Sequence, residues 1–200
     1  MKKIVIASNN PGKLREFAAM LAPFDFAAIP QGDFNLTEAA EPHATFIENA
    51  LAKARHAARL TGLPALADDS GICALALGGA PGVLSARYAG EPKNDVRNNE
   101  KLVRELAAHT DKRAFYHCSL VLLMDENDPH PLIADGQWWG EIIDTPRGTG
   151  GFGYDAHFFL PEYGCTAAEL DAQRKNTLSH RGKALAELSL KLKQQQAFSA

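Results

Sequence analysis

Cysteine is scarce in this 200-residue sequence: Cys73, Cys118 and Cys165 lie far apart, form no C-x-x-C pair and leave an odd one over. That excludes a disulfide framework, leaves no visible structural zinc site, and suits a reducing cytosol. Basic charge is not in surplus either. Twenty-one Lys and Arg against 24 Asp and Glu give a net charge of -3, with no block of like charges on any segment. A general nucleic-acid binder lives on phosphate neutralisation and is normally basic, so no nucleic-acid partner is expected. No apolar stretch approaches the roughly 18 residues of a membrane helix. Residues 1–7 carry two lysines and a short apolar run but meet Asn9, Asn10 and Pro11 before a signal peptide's apolar core would end. A soluble, cytoplasmic protein without a membrane partner is expected. Internal repeats and low-complexity linkers are also missing. With 46% of residues apolar and 22% charged, the chain is neither disordered nor a coiled coil. A chain of this length can bury about 70% of the surface its unfolded form exposes, which suffices for one compact domain or two closely joined lobes.

Residues 3–7 are β-branched and brief, Ser8-Asn9-Asn10-Pro11-Gly12 breaks them, and Leu14, Phe17, Ala18 and Leu21 then recur at helical spacing over 13–21. Residues 45–60 place Phe46, Ile47, Ala50, Leu51, Ala54, Ala57 and Ala58 on one stripe, with Glu48, Asn49, Lys53, Arg55 and Arg59 mostly off it, and Gly62 can cap this helix. Residues 63–67 read as a short buried strand running into Asp68-Asp69-Ser70-Gly71. Loops are expected over 78–90, then a helix over 94–108 with Val96, Leu102, Val103 and Leu106 inward. Residues 114–124, 132–135 and 137–143 look like strands, paired antiparallel, with a hairpin-type turn over 125–131. Thr166-Ala167-Ala168-Glu169 has the capping-box pattern, and Ser179 can cap a last helix through Leu185, Leu188 and Leu192. The order predicts an α/β protein: a two-lobed mixed β-sheet flanked by helices, with an active-site cleft between the lobes.

Four segments can carry chemistry. Ser8-Asn9-Asn10-Pro11-Gly12-Lys13 joins a strand to a helix N-terminus, where outward N–H groups and a lysine suit a phosphate; without the spacing of a true P-loop it is equally an ordinary turn. Asp68 and Asp69, with Ser70, stand at the end of a buried run, where two carboxylates can hold Mg²⁺ and deprotonate water; the alternative is a solvated turn. Gly148 to Asp155 has four glycines in its first six residues around Phe152, whose ring suits a flat base, or it is a hairpin loop. Lys175, His180 and Arg181 offer donors to an oxygen-rich ligand, or are surface charge at a helix end. Asn49 and Lys53 sit one helical turn apart, Glu38 and Glu41 can reach a metal, and Arg87 can meet an anion. His117 beside Cys118, and Trp138 with Trp139, read as packing.

Taken in order, Ser8-Asn9-Asn10-Pro11-Gly12-Lys13, Phe46-Ile47-Glu48-Asn49-Ala50, Ala67-Asp68-Asp69-Ser70-Gly71, Gly79-Ala80-Pro81-Gly82 with Ser85-Ala86-Arg87-Tyr88, Gly150-Gly151-Phe152-Gly153-Tyr154-Asp155 and Ser179-His180-Arg181-Gly182 closely resemble the inosine/xanthosine triphosphate pyrophosphatase family. The resemblance runs over nearly the whole chain. It implies one pyrophosphatase domain of two lobes over 1–200 and a Mg²⁺-dependent homodimer that hydrolyses dITP, ITP and XTP to the monophosphate and pyrophosphate, clearing deaminated purines. It implies that Ser8, Asn9, Asn10, Pro11, Gly12 and Lys13, with Lys53, hold the triphosphate. Asp69 would be the proton acceptor and a metal contact, Asp68 its neighbour in the same acidic site, Glu41 a further metal carboxylate, and Ser70 a substrate contact. Phe152, Gly153, Tyr154 and Asp155 would line the base pocket, completed by Lys175, His180 and Arg181. The loop reads Ser-Asn-Asn where many relatives have Thr-Gly-Asn, and the hydroxyl is retained.

The residue chemistry agrees with that resemblance. Cationic side chains with Mg²⁺ can neutralise a triphosphate, and a 6-oxo purine offers an acceptor where adenine has a donor. Donors such as Lys175, His180 and Arg181 then discriminate against adenine by up to about 10⁴. Two alternatives remain from the residues: a related enzyme for modified pyrimidine triphosphates, and a sensor that binds a triphosphate without cleaving it.

Overall fold

A computed structural model describes residues 1–37 and 39–199. The elements are β1 (Lys2–Ile6), α1 (Pro11–Leu21), β2 (Phe26–Pro30), α2 (Phe46–Thr61), β3 (Ala65–Ala74), α3 (Asp95–Leu106), β4 (Arg113–Leu123), β5 (Leu132–Ile142), β6 (Phe158–Leu160), β7 (Cys165–Thr166), α4 (Ala172–Leu178) and α5 (His180–Ser199), with short 3-10 turns between several of them. Seven strands form one open mixed sheet in the order β2-β1-β3-β4-β5-β6-β7. β1 runs parallel to β2 and β3, whereas β6 is antiparallel to β5 and β7. The chain divides into two compact units: Met1–Asp69 with Cys118–Asp135 and Ala184–Ala200, and Ser70–His117 with Gly136–Lys183. β3, β4, β5 and α5 each contribute residues to both. Among the described residues no helix is long and apolar enough to cross a membrane.

Within the first unit, strand alternation builds two cores. Ile4, Ile6 and Leu66 pack with Phe17 and Leu21 of α1, while Val5, Ala65 and Ala67 pack with Ala50, Ala54, Ala57 and Ala58 of α2. Successive strand residues point to opposite faces, so the two helices take opposite sides of the same strands. Each fully buried Leu, Ile or Phe contributes about 1.5–3 kcal/mol relative to exposure. In the second unit Leu102 and Leu106 of α3 pack with Tyr116, Trp138, Ile142 and Phe158.

Several sequence expectations are corrected. The strands expected over 132–135 and 137–143 are one strand, β5, because Gly136 keeps the alternation of buried and exposed residues intact. Val96, expected inward, is 66% exposed, since α3 buries Asn98, Leu102 and Leu106 instead. On α2, Ile47 of the expected stripe is exposed and Asn49 is buried. The capping box at Thr166 and Glu169 is present but opens only a three-residue 3-10 turn. The helix α4 was not expected, and Ser179 accepts from Gly182 N at 3.1 Å where α5 begins. Glu38 lies outside the described residues.

All three cysteines are free. Cys73 and Cys118 are buried, Cys165 is half-buried, and burial pushes the Cys73 thiol up to about 11. In the native protein at pH 8 a thiol reagent is expected to label Cys165 first, with all three reacting once the chain is unfolded. Rapid native labelling of Cys118 would contradict this packing.

Candidate active site

The first group of site residues lies in the first unit. β1 ends at Ile6, level with Leu66 of β3, so Asp68 and Asp69 lie just past the carboxyl end of β1 while β3 itself continues to Ala74. The acidic pair is therefore in the middle of a strand and not at its end, and it is not a solvated turn: Asp68 is 2% and Asp69 7% exposed. Their side chains leave opposite faces of β3, as adjacent strand residues must. Asp68 meets α1, where Lys13 Nζ lies 2.9 Å from Oδ1 and 2.8 Å from Oδ2. Asp69 meets α2, where Lys53 Nζ lies 3.3 Å from Oδ1 and Asn49 Nδ2 donates to Oδ2 at 3.2 Å. Lys53 Nζ also donates to Glu41 Oε1 at 2.7 Å.

Local sequence explains each placement. Asn10 is the N-cap of α1, its side-chain oxygen accepting from Gly12 N at 2.8 Å and Lys13 N at 3.2 Å, and Pro11 fits the first helical turn because it lacks the N–H that would go unbonded there. Asn10 N in turn donates to Ser8 Oγ at 3.2 Å, which folds the loop back on itself, and Asn9 and Pro11 are exposed. Asn49 and Lys53 are four apart on α2 and so share a face. Asn49 is more than a spacer: its Oδ1 accepts from His43 N at 3.0 Å and its Nδ2 donates to His43 O at 3.3 Å, tying the segment after Glu41 to the helix.

Burial alone would lower the Lys53 pKa, but Asp69, Asp68 and Glu41 outweigh it, so its pKa is raised and the ammonium is held charged. The Asp69 carboxyl is pushed up, first by burial and then by Glu41, against the pull of Lys53 and Asn49. Three carboxylates thus face two ammonium groups. Buried ion pairs of this kind are weak contributors to stability, so their presence calls for another reason. Among the described residues no three of His, Cys, Asp and Glu are grouped as a ready metal cage. The oxygens of Glu41 and Asp69 nevertheless converge on one cation. Hard oxygen donors of that number fit Mg²⁺, which is commonly held by one or two carboxylates with the rest of its shell from phosphate and water. Ser70, next along β3 and the first residue of the second unit, is half-buried.

The second group lies in the second unit. Asp155 is buried and pairs with Lys175 Nζ, while its Oδ2 accepts from Phe152 N at 2.7 Å and its Oδ1 from Tyr116 OH at 3.4 Å. Gly151 is required there: its φ is +73°, and a Cβ would fall 2.1 Å from Asp155 Oδ2. The Phe152 ring is 65% exposed, with Lys175 Nζ 4.9 Å from its centroid. Tyr154 is buried and donates to Ser85 O at 2.7 Å. The His180 ring stacks on Tyr116 with centroids 4.8 Å apart and 9° between planes, and Arg181 is buried. Burial and the Asp155 charge keep the Tyr116 phenol protonated, so it acts as a donor. Tyr116 was not singled out from sequence. It sits 39 residues from Asp155 in an ordinary strand pattern, and no local signal marks it.

A family model described as the Ham1 family matches residues 4–191. The chain belongs to the Ham1 family. This Ham1 chain is 64% identical over 196 residues to a dITP/XTP pyrophosphatase of Ralstonia nicotianae, covering 96% of this chain and 98% of that one. It is 62% identical over 191 residues to a dITP/XTP pyrophosphatase of Chromobacterium violaceum, covering 96% and 97%. Its structure is similar to that of a HAM1 protein from Coxiella burnetii, with a TM-score of 0.94 and 49% identity over 97% of this chain and all of the other. A nucleoside-triphosphatase / dITP/XTP pyrophosphatase from Mycobacterium abscessus matches with a TM-score of 0.79 and 37% identity, over 93% of this chain and 97% of that one.

Proposed function

We infer that this Ham1 chain hydrolyses non-canonical purine nucleoside triphosphates, dITP, ITP and XTP, to the nucleoside monophosphate and pyrophosphate. The observation that carries the reading is the near full-length identity of 60–64% to dITP/XTP pyrophosphatases. The first group suits a triphosphate and the second a purine base. Lys13 and Lys53, with Ser8 and the Asn10 loop, hold the triphosphate; Phe152 gives the base a face, and Lys175, His180 and Arg181 give its 6-oxo group donors.

In the reaction one water cleaves the anhydride between the α- and β-phosphates, and a proton leaves the water as the new P–O bond forms. Asp69 accepts that proton. Lys53 and Asn49 hold its two oxygens in place for that transfer. Glu41 and Asp69 would hold Mg²⁺, which supplies charge neutralisation of the phosphates. Asp68 aims Lys13 through contacts at 2.9 and 2.8 Å. Asn49 orients Asp69 through its second oxygen. A homodimer is part of the proposal, two-fold symmetry being the commonest closed arrangement, as is work on the cytoplasmic nucleotide pool.

The test is incubation with ITP, dITP, XTP, GTP and ATP in Mg²⁺, with an EDTA control, measuring pyrophosphate separately from phosphate. Pyrophosphate is expected from ITP, dITP and XTP, hardly from ATP, and none in EDTA. Release of single phosphates would exclude this reaction, and tight binding without turnover would make the protein a sensor.

A further inference from the structure

The Phe152 ring is largely exposed, so side-chain packing does not hold it in place; its position depends on how the backbone of residues 151–153 is tied. One tie is internal, Phe152 N to Asp155 Oδ2 at 2.7 Å. The next N–H along the chain is tied from outside: Gly153 N donates to Asp95 Oδ2 at 3.0 Å. The carbonyl of the same glycine accepts from Asn99 Nδ2 at 2.9 Å. Gly153 has φ +61°, so both of its polar groups are held in a conformation that a freed loop would readily leave.

Asp95 and Asn99 are four apart, hence on one face of the first turns of α3. Asn99 Nδ2 also donates to Asp95 O at 2.8 Å. With both of its nitrogen contacts on carbonyl oxygens, the amide has one sensible orientation, since a flipped amide would set oxygen against oxygen. The platform is itself anchored. Buried Asn98 accepts from Ala89 N at 2.7 Å and donates to Ala86 O at 3.0 Å, in the stretch that also holds Tyr154 through Ser85 O.

We propose that Asp95 and Asn99 are positioning residues for purine recognition, clamping Gly153 from both sides so that the Phe152 ring and the Asp155–Lys175 pair keep the geometry a base requires. The proposal rests on the assignment of residues 152–155 and Lys175 to the base end of the substrate. Neither side chain touches a reacting atom; both act through the loop.

The test uses Asp95→Ala, Asn99→Ala, Asn99→Asp and the conservative Asp95→Asn in the full chain. Four quantities are measured: KM and kcat for ITP, the dissociation constant of IMP, inhibition by inorganic tripolyphosphate, and amide hydrogen exchange at Gly153. Losing either tie is expected to raise KM for ITP and the IMP dissociation constant about tenfold, the loss of roughly one charge-assisted or well-formed hydrogen bond. Tripolyphosphate carries no base, so its inhibition should stay unchanged, and kcat should move far less than KM. Asp95→Asn retains an acceptor oxygen and should restore binding; Asn99→Asp sets a carboxylate against two carbonyls and should be at least as damaging as Asn99→Ala. Gly153 exchange should quicken in Asp95→Ala and recover in Asp95→Asn. Unchanged IMP binding, an equal loss of tripolyphosphate inhibition, or unchanged Gly153 exchange would each overturn the proposal. A wild-type protein that binds IMP with the expected variant pattern but fails to hydrolyse ITP would instead remove the pyrophosphatase reading and leave the clamp standing.

Discussion

Asp69→Asn is expected to lower kcat for ITP by about 10²–10⁴-fold, the usual contribution of a positioned general base, while nucleotide binding persists. The substitution keeps the size of the side chain and leaves an oxygen able to accept from Lys53, now 3.3 Å from Oδ1, but it removes the group proposed to take the proton from water. It also weakens the charge proposed to hold Mg²⁺, so the metal concentration needed for half-maximal residual rate is expected to rise. Pyrophosphate release and nucleotide binding, measured on one preparation, check this. Full activity in the variant would mean that the proton goes elsewhere and that Asp69 serves only as a ligand.

Gly182→Ala is expected to destabilise the protein by about 3 kcal/mol, the upper part of the range for forcing extra volume into a packed site. For a chain of this length that corresponds to a fall in Tm of about 6–12 °C. Helix propensity argues the other way, because alanine inside a helix is favoured over glycine by about 1 kcal/mol. Geometry decides the sign. A Cβ at Gly182 would fall 1.8 Å from the Asn176 carbonyl oxygen and 3.3 Å from that of Thr177, both backbone atoms, so no side chain can swing away. α4 and α5 would have to separate at the corner that carries Lys175 on one side and His180 and Arg181 on the other. Thermal unfolding and the KM for ITP should therefore both change. An unshifted Tm would show that the corner relaxes at little cost.

The long amphipathic segments were legible in the sequence because one element owns each pattern. The helix expected over 45–60 is α2, and Gly62 ends it with φ +67° as expected, while Thr45 proves to be its N-cap. Errors arose where a residue answered to a neighbour outside its own segment. Gly136 reads locally as a break, yet β5 passes through it because the flanking residues keep their alternation. Asn49 reads as surface on the helical wheel but is buried, because its amide bonds both His43 and Asp69. Val96 reads as core and is exposed, because the face of α3 that packs is the one carrying Asn98, Leu102 and Leu106.

The sequence by itself determined the class of the fold and the order of the candidate segments, because these follow from periodicity and turn chemistry; which groups would meet a triphosphate and a 6-oxo purine came from the family resemblance. Only the tertiary structure decided which groups act together. Adjacent Asp68 and Asp69 read as one acidic site; strand geometry pairs Asp68 with Lys13 on α1 and Asp69 with Lys53 and Asn49 on α2, while the charges of both act on Lys53. Glu41 joins Asp69 at Lys53 from 28 residues away, and Tyr116 joins Asp155 and His180. Such groupings depend on distances between elements far apart in the chain, and periodicity within a segment carries no record of them.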